Sequence, residues 1–356
     1  MNALPCSIVD AHMHQWNPLA TPHAAAGLIR LLGRRPRLLH AVARALQSRA
    51  NLESLGRIEH FLAPYLPADH AADFGAWPVD TVVHVEAGWH ALSNLALVDE
   101  TRWIAQLPFG QGGPQLGALV VNADPRKLDF ANALIEHLQA CAKVRGVRRM
   151  AAFHADRGIK RWATQPHLYL DQRFQAGYAR LAELGLSFDA WVYSTQLPEL
   201  SALAARFPEV RLVLNHLGTP AGVFGPVGRH TGRSAGERED IFKRWQDDIA
   251  ELGQYRHVHA KLSGLLMPVL GHAFHRRGEK AGVAQLQDLL GPFVEHALAV
   301  FGSQRLMFAS NFPMDSVSAN LADIIEAKRR LLAGHGEATL RAVFRDNAVR
   351  FYRLGE

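Results

Sequence analysis

The chain has 356 residues, of which 48% are apolar and 20% charged, and its 39 Lys and Arg against 33 Asp and Glu give a formal net charge of +6. These values are typical of a globular protein that can bury a sizeable core. No run of about 18 consecutive apolar residues occurs, and no basic patch precedes an apolar run at the amino terminus, so the sequence argues against a membrane span or an export signal.

The cysteine content and the charge distribution limit the cellular compartment and the kinds of partner that the sequence allows. Only Cys6 and Cys141 occur, far apart, which argues against a disulfide framework and a thiolate metal site. Basic residues are scattered among acidic ones except in GRRPR (33–37) and HRRGEK (275–280), and no nucleic-acid-binding motif accompanies them. We therefore predict a cytoplasmic protein whose partner is a small, anionic molecule, not nucleic acid or a membrane. The oligomeric state is not indicated.

Eight short apolar or β-branched runs follow one another along the chain and predict strands. They lie at 7–12, 81–87, 116–123, 144–150, 186–192, 210–216, 257–264 and 305–310. Stretches with helical periodicity lie between them, as in the apolar positions 128, 131, 134, 135 and 138 and in 197, 200, 203 and 207. The alternation of strands and helices, without an internal linker, predicts an α/β fold: a (β/α)₈ TIM barrel forming a single domain over residues 1–356.

Three segments exceed what an ideal barrel requires. Residues 17–79 form a long insertion between the first and second strands, with a helix-like stretch at 27–52. The segments 222–240 and 267–280 follow the sixth and seventh strands. Because they lie at the end of the barrel where catalytic sites are found, we interpret them as lids or walls of a substrate site.

Polar and aromatic side chains follow the predicted strands at that same end. They are His12 and His14 at the first strand, Glu86 and Trp89 after the second, Arg148 and Arg149 at the fourth, Gln196 beyond the fifth, His216 at the sixth, Lys261 and Ser263 at the seventh, and the segment 310–315 after the eighth. We expect these side chains to converge at that end of the barrel. The candidates for substrate contact are Arg148, Arg149, Gln196, Lys261 and Trp89.

The paired imidazoles of the first strand point to a metal. Alternate residues of a strand share a face, so His12 and His14 project together. With His216 and a carboxylate after the eighth strand, they could hold one Zn²⁺ or similar ion. Such an ion activates water or polarises a carbonyl group.

Several of these residues have structural alternatives. His216 could instead cap its strand and bond a loop carbonyl. Lys261 is explained equally well by a structural salt bridge. Arg148 and Arg149 are adjacent on a strand and face opposite ways, so one of them should point into the barrel, where it needs a carboxylate from the protein or the substrate.

Four segments resemble a known family. IVDAHMHQWNP (8–18), VLNHLGTP (213–220), KLSGL (261–265) and RLMFASNFPMD (305–315) are similar, in order and spacing, to the amidohydrolase superfamily. Within it they resemble the amidohydrolase-related branch that includes sugar-lactone and pyrone-dicarboxylate lactonases. The resemblance implies that His12 and His14 match the family's ligands on strand one and His216 its histidine on strand six.

The chain also departs from that pattern. Most relatives read G-S-D-W-P at strand eight, with the Asp as general base, whereas this chain has Asn311 at the matching position and Asp315 four residues later. Strand five ends in WVYSTQ (191–196) without a histidine, and strand four lacks a bridging Lys or Glu. The resemblance therefore implies at most one ion. Either Asp315 acts as the base, or Asn311 acts through a bound water, or Asp315 merely caps the following helix.

These observations predict a hydrolase that opens a lactone or related cyclic ester of an acidic small molecule. In this interpretation His12, His14 and His216 bind a metal or polarise the carbonyl, and Arg148 or Arg149 holds a carboxylate. Two alternatives remain open: a metal-dependent decarboxylase of the same superfamily, and a barrel without catalysis that acts as a binding protein.

Overall fold

In a computed structural model, which describes residues 4–23, 26–33 and 35–355, all eight predicted strands form one parallel sheet in chain order. The strands are β1 (Ile8–Met13), β2 (Val79–Val85), β3 (Gln115–Asn122), β4 (Val144–Arg148), β5 (Ser187–Ala190), β6 (Leu212–Leu214), β7 (Val258–Leu262) and β8 (Leu306–Phe308). The predicted order and number of strands are confirmed.

The sheet closes where the end of β8 meets β1. Met13 pairs with Phe312 in a parallel bridge, and the His14 N–H donates to the Phe312 carbonyl at 2.8 Å. The Asn311 N–H donates to the His12 carbonyl, also at 2.8 Å. The fold is a TIM barrel, as predicted, and its closure brings the β8 motif against the two histidines of β1.

Helices lie between the strands and after the last of them. They are α1 (Ala26–Leu32), α2 (Pro36–Leu46), α3 (Arg49–Leu55), α4 (Pro67–Asp73), α5 (Asn94–Ala105), α6 (Phe130–Ala140), α7 (Gln172–Glu183), α8 (Leu197–Arg206), α9 (Ala235–Leu252), α10 (Phe274–Arg277), α11 (Val283–Phe301), α12 (Leu321–Ala333), α13 (Glu337–Arg341) and α14 (Asn347–Tyr352). The predicted apolar face of α8 is confirmed, because Leu197, Leu200 and Leu203 are buried. No helix in the described ranges is long and apolar enough to cross a lipid bilayer.

Helix α6 exists where the periodicity predicts it, and Leu134, one of the periodic apolar positions, is buried. Leu128 precedes the helix and is exposed, as is Ile135. Phe130 and His137 are buried as well. The His137 ring is tolerated there because its Nδ1 is hydrogen-bonded to the Thr101 hydroxyl on α5 at 2.7 Å.

The insertion between β1 and β2 contains α1 to α4. The predicted helical stretch breaks after α1, and α2 begins at Pro36, a residue type that fits the first turn of a helix but not its interior. The insertion has a small core of its own, made by Ile29, Leu39, Ala43 and Leu62. Helix α4, near the end of the insertion, is not predicted by the sequence and lies against β1 through His70.

A second apolar cluster fills the barrel interior. It consists of Val9, Ala11, Val83, Val85, Ala118, Val120, Val213, Met307, Ala309, Ala348, Phe351 and Tyr352. The last three belong to α14, which therefore packs its aromatic side chains against the strand residues of this cluster. The polar strand-end residues lie beyond this layer.

The loops after β4, β6 and β7 are tied to one another. The Asp156 carboxylate accepts hydrogen bonds from the backbone N–H groups of Arg229 and His230, both at 2.8 Å, and from the Thr231 hydroxyl at 3.0 Å. The N–H of Phe224 donates to the Leu270 carbonyl at 2.8 Å. These bonds favour the interpretation of 222–240 and 267–280 as walls over their interpretation as lids.

Candidate active site

A β-bulge aims the two histidines of β1 into the barrel. The register between β1 and β2 shifts over residues 10–13, where β1 has one residue more than its partner. Ala11 belongs to the interior cluster, whereas Met13 packs in the outer core. Strict alternation from an inward Ala11 would turn His12 and His14 outward. The bulge reverses this, as bulges near active sites do.

The structure brings the three predicted histidines together. The ring centroid of His12 lies 4.9 Å from that of His14 and 4.6 Å from that of His216. The Nε2 atoms of His12 and His14 are 3.2 Å apart. All three rings are buried. The contact joins the ends of β1 and β6 across the barrel mouth.

The hydrogen bonds assign protons to two of these rings. The Nδ1–H of His14 donates to the Val85 carbonyl at 2.8 Å, so its Nε2 accepts from the Nε2–H of His12. The Nδ1 of His12 then accepts from Lys261 Nζ at 3.2 Å. Burial lowers the pKa of all three imidazoles well below the ordinary value, and the Lys261 and Arg148 cations lower it further. The rings are neutral at physiological pH.

His216 is held in a left-handed backbone conformation, with a φ of 57°. Its Nδ1 is hydrogen-bonded to the Ser263 hydroxyl at 2.9 Å. Gly264 passes so close that a Cβ there would lie 2.3 Å from His216 Cγ, which explains a glycine at this position. The rings of Trp191 and His216 meet edge to face at a centroid distance of 5.8 Å, and the Trp191 Nε1 donates to the Thr219 hydroxyl.

Arg148 and Arg149 take opposite sides of β4, as predicted. Arg148 is buried and its Nε donates to a carboxylate oxygen of Glu86 at 2.7 Å, while its Nη2 donates to the Glu86 carbonyl. Its Nη1 lies 3.4 Å from His12 Nε2; because that nitrogen carries the proton directed at His14, this approach is a contact and not a hydrogen bond. Arg149 is 30% exposed and pairs with Asp124 at 3.2 Å. Arg148 is therefore the arginine that faces the histidines.

The sequence leaves open whether Lys261 forms a structural salt bridge or belongs to the site. In the structure it forms the salt bridge and also contacts His12. Its Nζ lies 2.5 Å from an Asp189 carboxylate oxygen, and both side chains are fully buried. The Tyr352 hydroxyl donates to the same carboxylate at 2.9 Å. Burial lowers the pKa of Lys261, while Asp189 opposes this shift. The Lys261 cation therefore pairs with Asp189 and also donates to His12.

Asp315 does not reach the histidines through any contact of the described residues. Its carboxylate accepts a hydrogen bond from the Asn311 side-chain amide at 2.9 Å. Asn311 has a φ of 57° and is buried, as is Asp315. The prediction that Asp315 itself faces the histidines finds no support. The backbone turn at Asn311 sends the carboxylate behind the end of β8, where it positions the amide.

The surroundings of Asp315 change the pKa of its carboxyl group. Burial raises the pKa of Asp315 to about 7, although the Asn311 amide and the nearby Lys328 favour the carboxylate. Burial lowers the pKa of Lys328 to about 8. Its Nζ donates to the carbonyls of Leu262 at 2.6 Å and Ala309 at 3.1 Å, at the ends of β7 and β8.

Two predicted substrate-binding residues have other roles in the structure. The Gln196 amide is used by the backbone: its oxygen accepts from Phe153 N–H at 2.8 Å and its nitrogen donates to Ala151 at 3.0 Å. Trp89 packs against the rings of His23 and Trp103, at 5.7 and 6.1 Å. Neither contacts the histidines in the described parts of the chain, because Gln196 ties down the loop after β4 and Trp89 turns toward the insertion.

The amidohydrolase family model matches residues 9–354 of the sequence. The chain belongs to the amidohydrolase family. The predicted membership is confirmed, and the match extends over the whole barrel.

This amidohydrolase has relatives among proteins of known sequence and structure. It is 32% identical over 290 residues to the Sinorhizobium fredii protein y4mH, covering 82% of this chain and 86% of that protein. It is 29% identical over 261 residues to L-fucono-1,5-lactonase from Burkholderia multivorans, covering 72% and 78%. A zinc-bound amidohydrolase structure from Burkholderia multivorans superposes with a TM-score of 0.71 at 24% identity, covering 98% and 100%.

The three histidines of this amidohydrolase meet some of the requirements of a divalent-ion site, but not all of them. Three neutral imidazoles are ligands that zinc accepts, and the 3.2 Å between the Nε2 atoms of His12 and His14 is close to the roughly 3.3 Å that two nitrogens on one tetrahedral zinc have. Within the described ranges, however, no three His, Cys, Asp or Glu side chains already stand in ligating geometry. An ion would require His12 to release its Nε2 proton beside Lys261, and His216 to move closer.

Sequence reasoning missed Asp189 and Tyr352, the partners of Lys261. A signal for Asp189 is present, because it is a carboxylate inside a strand that is predicted to be buried, and such a group needs a cation. No comparable signal marks Tyr352, which lies far away in the sequence, near the carboxyl terminus.

Proposed function

We propose that this amidohydrolase opens a lactone or a related cyclic ester of an acidic small molecule by attack of water. The observation that carries the proposal is the cluster of three buried imidazoles at the mouth of the barrel, in which His12 lies against two buried cations, Arg148 and Lys261. The similarity to L-fucono-1,5-lactonase supports a lactone as the substrate.

Arg148 supplies the positive charge for the carbonyl oxygen of the substrate. Glu86 fixes the guanidinium through its carboxylate and its backbone carbonyl, so the remaining Nη1 is directed at the histidines. When water adds to the carbonyl carbon, negative charge grows on the oxygen. A cation already in place in a dry site stabilises that charge without reorganisation.

Water is positioned by His216 and Asn311. With Nδ1 donating to Ser263, the Nε2 of a neutral His216 accepts a proton from the attacking water. Asp315 holds the amide nitrogen of Asn311, which leaves the amide oxygen to accept a second hydrogen bond from the water. The new carbon–oxygen bond forms, the ring carbon–oxygen bond breaks, and the proton passes to the ring oxygen, giving a hydroxy acid.

If one zinc ion is bound, His12, His14 and His216 would be its ligands. The Nε2 of His216 would then hold the ion, so His216 acts as the base for water only in the enzyme without a metal. When bound, such an ion polarises the carbonyl and lowers the pKa of water. The zinc in the Burkholderia multivorans structure supports it.

The substrate class follows from the charge of the site. Arg149 lies at the rim, partly exposed, and Asp124 offsets its charge only in part because Asp124 also pairs with Arg126. A substrate carboxylate would complete this arrangement of two guanidinium groups and one carboxylate.

The test is a screen of aldonolactones and muconolactones with a pH indicator, together with elemental analysis of the purified protein. The proposal expects acid release that depends on enzyme concentration, with no more than one equivalent of metal. Release of CO₂ from a carboxylated aromatic acid without acid release from any lactone would favour the decarboxylase alternative. Binding of lactones without turnover would favour a barrel that has lost catalysis.

A further inference from the structure

We infer that His70, on helix α4 of the insertion, is a positioning residue for the histidine centre. It acts through Asp10, whose carboxylate holds the backbone on both sides of that centre. The inference rests on the proposed function for its kinetic test, and a second readout needs no substrate.

The Asp10 carboxylate connects β1 to the segment that follows β8 through hydrogen bonds. One carboxylate oxygen accepts from the Ser310 N–H at 2.8 Å and from the His12 N–H at 3.2 Å. The other lies 3.1 Å from His70 Nε2. Ser310 directly precedes Asn311, so this carboxylate fixes the residue next to the water-positioning amide and the bulge that turns His12 inward.

His70 is itself anchored within the insertion. Its Nδ1 is hydrogen-bonded to the Tyr65 hydroxyl at 2.9 Å, and that hydroxyl donates to the Asp73 carboxylate at 2.6 Å. The backbone of Tyr65 pairs with that of Trp16, just beyond His14. His70 is 1% exposed. A continuous buried chain of hydrogen bonds therefore runs from α4 to the backbone of His12.

Through this series of hydrogen bonds the insertion affects the position of the reacting groups. A β-bulge is held by few ladder bonds, so its exact shape depends on side-chain contacts such as those of Asp10. A displacement of about 1 Å in a reacting group costs on the order of a hundredfold in rate. Loss of the His70 donor would let Asp10, and with it His12 and Ser310, shift. Arg149, which is proposed to bind the substrate carboxylate, takes no part in these hydrogen bonds, so substrate binding would stay intact.

The kinetic test compares His70→Leu, His70→Gln and the control His137→Leu. His137 is also buried and its ring is hydrogen-bonded to the Thr101 side chain, but it lies on α6 and not in the insertion. We expect His70→Leu to lower kcat about tenfold or more with little change in KM, the loss produced by a misplaced catalytic group. His70→Gln keeps a donor for Asp10 and should recover most of that loss. His137→Leu should leave kcat unchanged at temperatures where it is folded.

The second readout is amide hydrogen exchange of the segments 8–16 and 305–315. His70→Leu should lose protection at Ser310, and His137→Leu should not. If His70→Leu does not fold, Tyr65→Phe removes only the hydroxyl that orients His70 and should show a smaller loss of the same kind. Unchanged kcat together with unchanged Ser310 protection in His70→Leu would overturn the inference. If the wild type opens no lactone, the proposed function fails and the exchange result alone decides the inference.

Discussion

Asn311 donates its side-chain amide to the Asp315 carboxylate at 2.9 Å, and both residues are buried at the end of β8. The contact assigns different roles to the two residues. Asn311 lies beside the histidines through its backbone bond to His12, whereas Asp315 lies behind it near Lys328. A carboxylate four residues beyond the expected position thus supports the site without entering it.

Asn311→Asp is expected to destabilise the protein, although it introduces the residue type that the family resemblance assigns to this position. The new carboxyl would lie beside Asp315, and two buried carboxyl groups in contact cannot both ionise. We expect a loss of about 1–3 kcal/mol in the free energy of unfolding, measured by urea denaturation at neutral pH. The exchange variant Asn311→Asp/Asp315→Asn restores one carboxylate and one amide and should recover at least half of the loss. Full stability of the single variant would contradict this account.

Asp315 should make the stability of the fold depend on pH. Its pKa is raised by burial to about 7, against an ordinary value of about 3.9 in the unfolded chain. Between these values the folded state keeps a proton that the unfolded state has lost, so the free energy of unfolding falls as the pH rises from about 4 to about 7. Asp315→Asn cannot titrate. The melting temperature of the wild type relative to this variant should therefore fall across that window, and parallel curves would refute the assignment.

Arg148 and Arg149 should differ sharply in their effect on turnover. Arg148→Lys removes the fork that Glu86 holds and should lower kcat/KM about a hundredfold or more, the loss typical of removing a group that stabilises an oxyanion. Arg149→Lys changes the arginine that is proposed to bind the substrate carboxylate, so it should act mainly by raising KM and should lower kcat much less than Arg148→Lys does. Steady-state kinetics on one lactone measures both parameters in both variants. Equal losses of kcat in the two variants would remove Arg148 from its proposed role.

Lys261→Met should be strongly destabilising. Among the described residues, the substitution leaves the buried Asp189 carboxylate with the Tyr352 hydroxyl as its one remaining side-chain partner. Breaking a buried ion pair from one side costs about 3–5 kcal/mol. Equilibrium unfolding in urea should show this loss, and the double variant Lys261→Met/Asp189→Leu should recover much of it. If the double variant is no more stable than the single one, the cost lies in packing and not in the orphaned charge.

The barrel could be predicted from the sequence because its signals are local. Each strand is a short apolar run, and each strand end carries a polar residue that parallel pairing gathers at one mouth. The pairing of His12 with His216 and the inward direction of Arg148 follow from that geometry. The apolar positions of α6 match its buried face only in part, because the helix begins only at Phe130 and a hydrogen bond to Thr101 makes a buried His137 acceptable.

The contacts that could not be predicted depend on irregular backbone. The bulge that turns His12 inward leaves no mark in a pattern of alternating residues, and the argument from alternate positions explains why His12 and His14 share a face but not which face it is. The position of Asp315 depends on a left-handed Asn311. The contact between His70 and Asp10 joins residues 60 positions apart through an insertion without a recognisable motif.

The central claim is that water attacks a cyclic ester at the centre formed by His12, His14 and His216. The most direct measurement is turnover of a lactone in isotopically labelled water by wild-type enzyme and by His216→Gln, with mass spectrometry of the product acid. The account predicts one labelled oxygen in each product carboxylate and a rate that falls by roughly a hundredfold or more in the variant, as expected for the loss of a general base. Wild-type turnover in the variant, or a product that has lost CO₂ and gained no label, would contradict it.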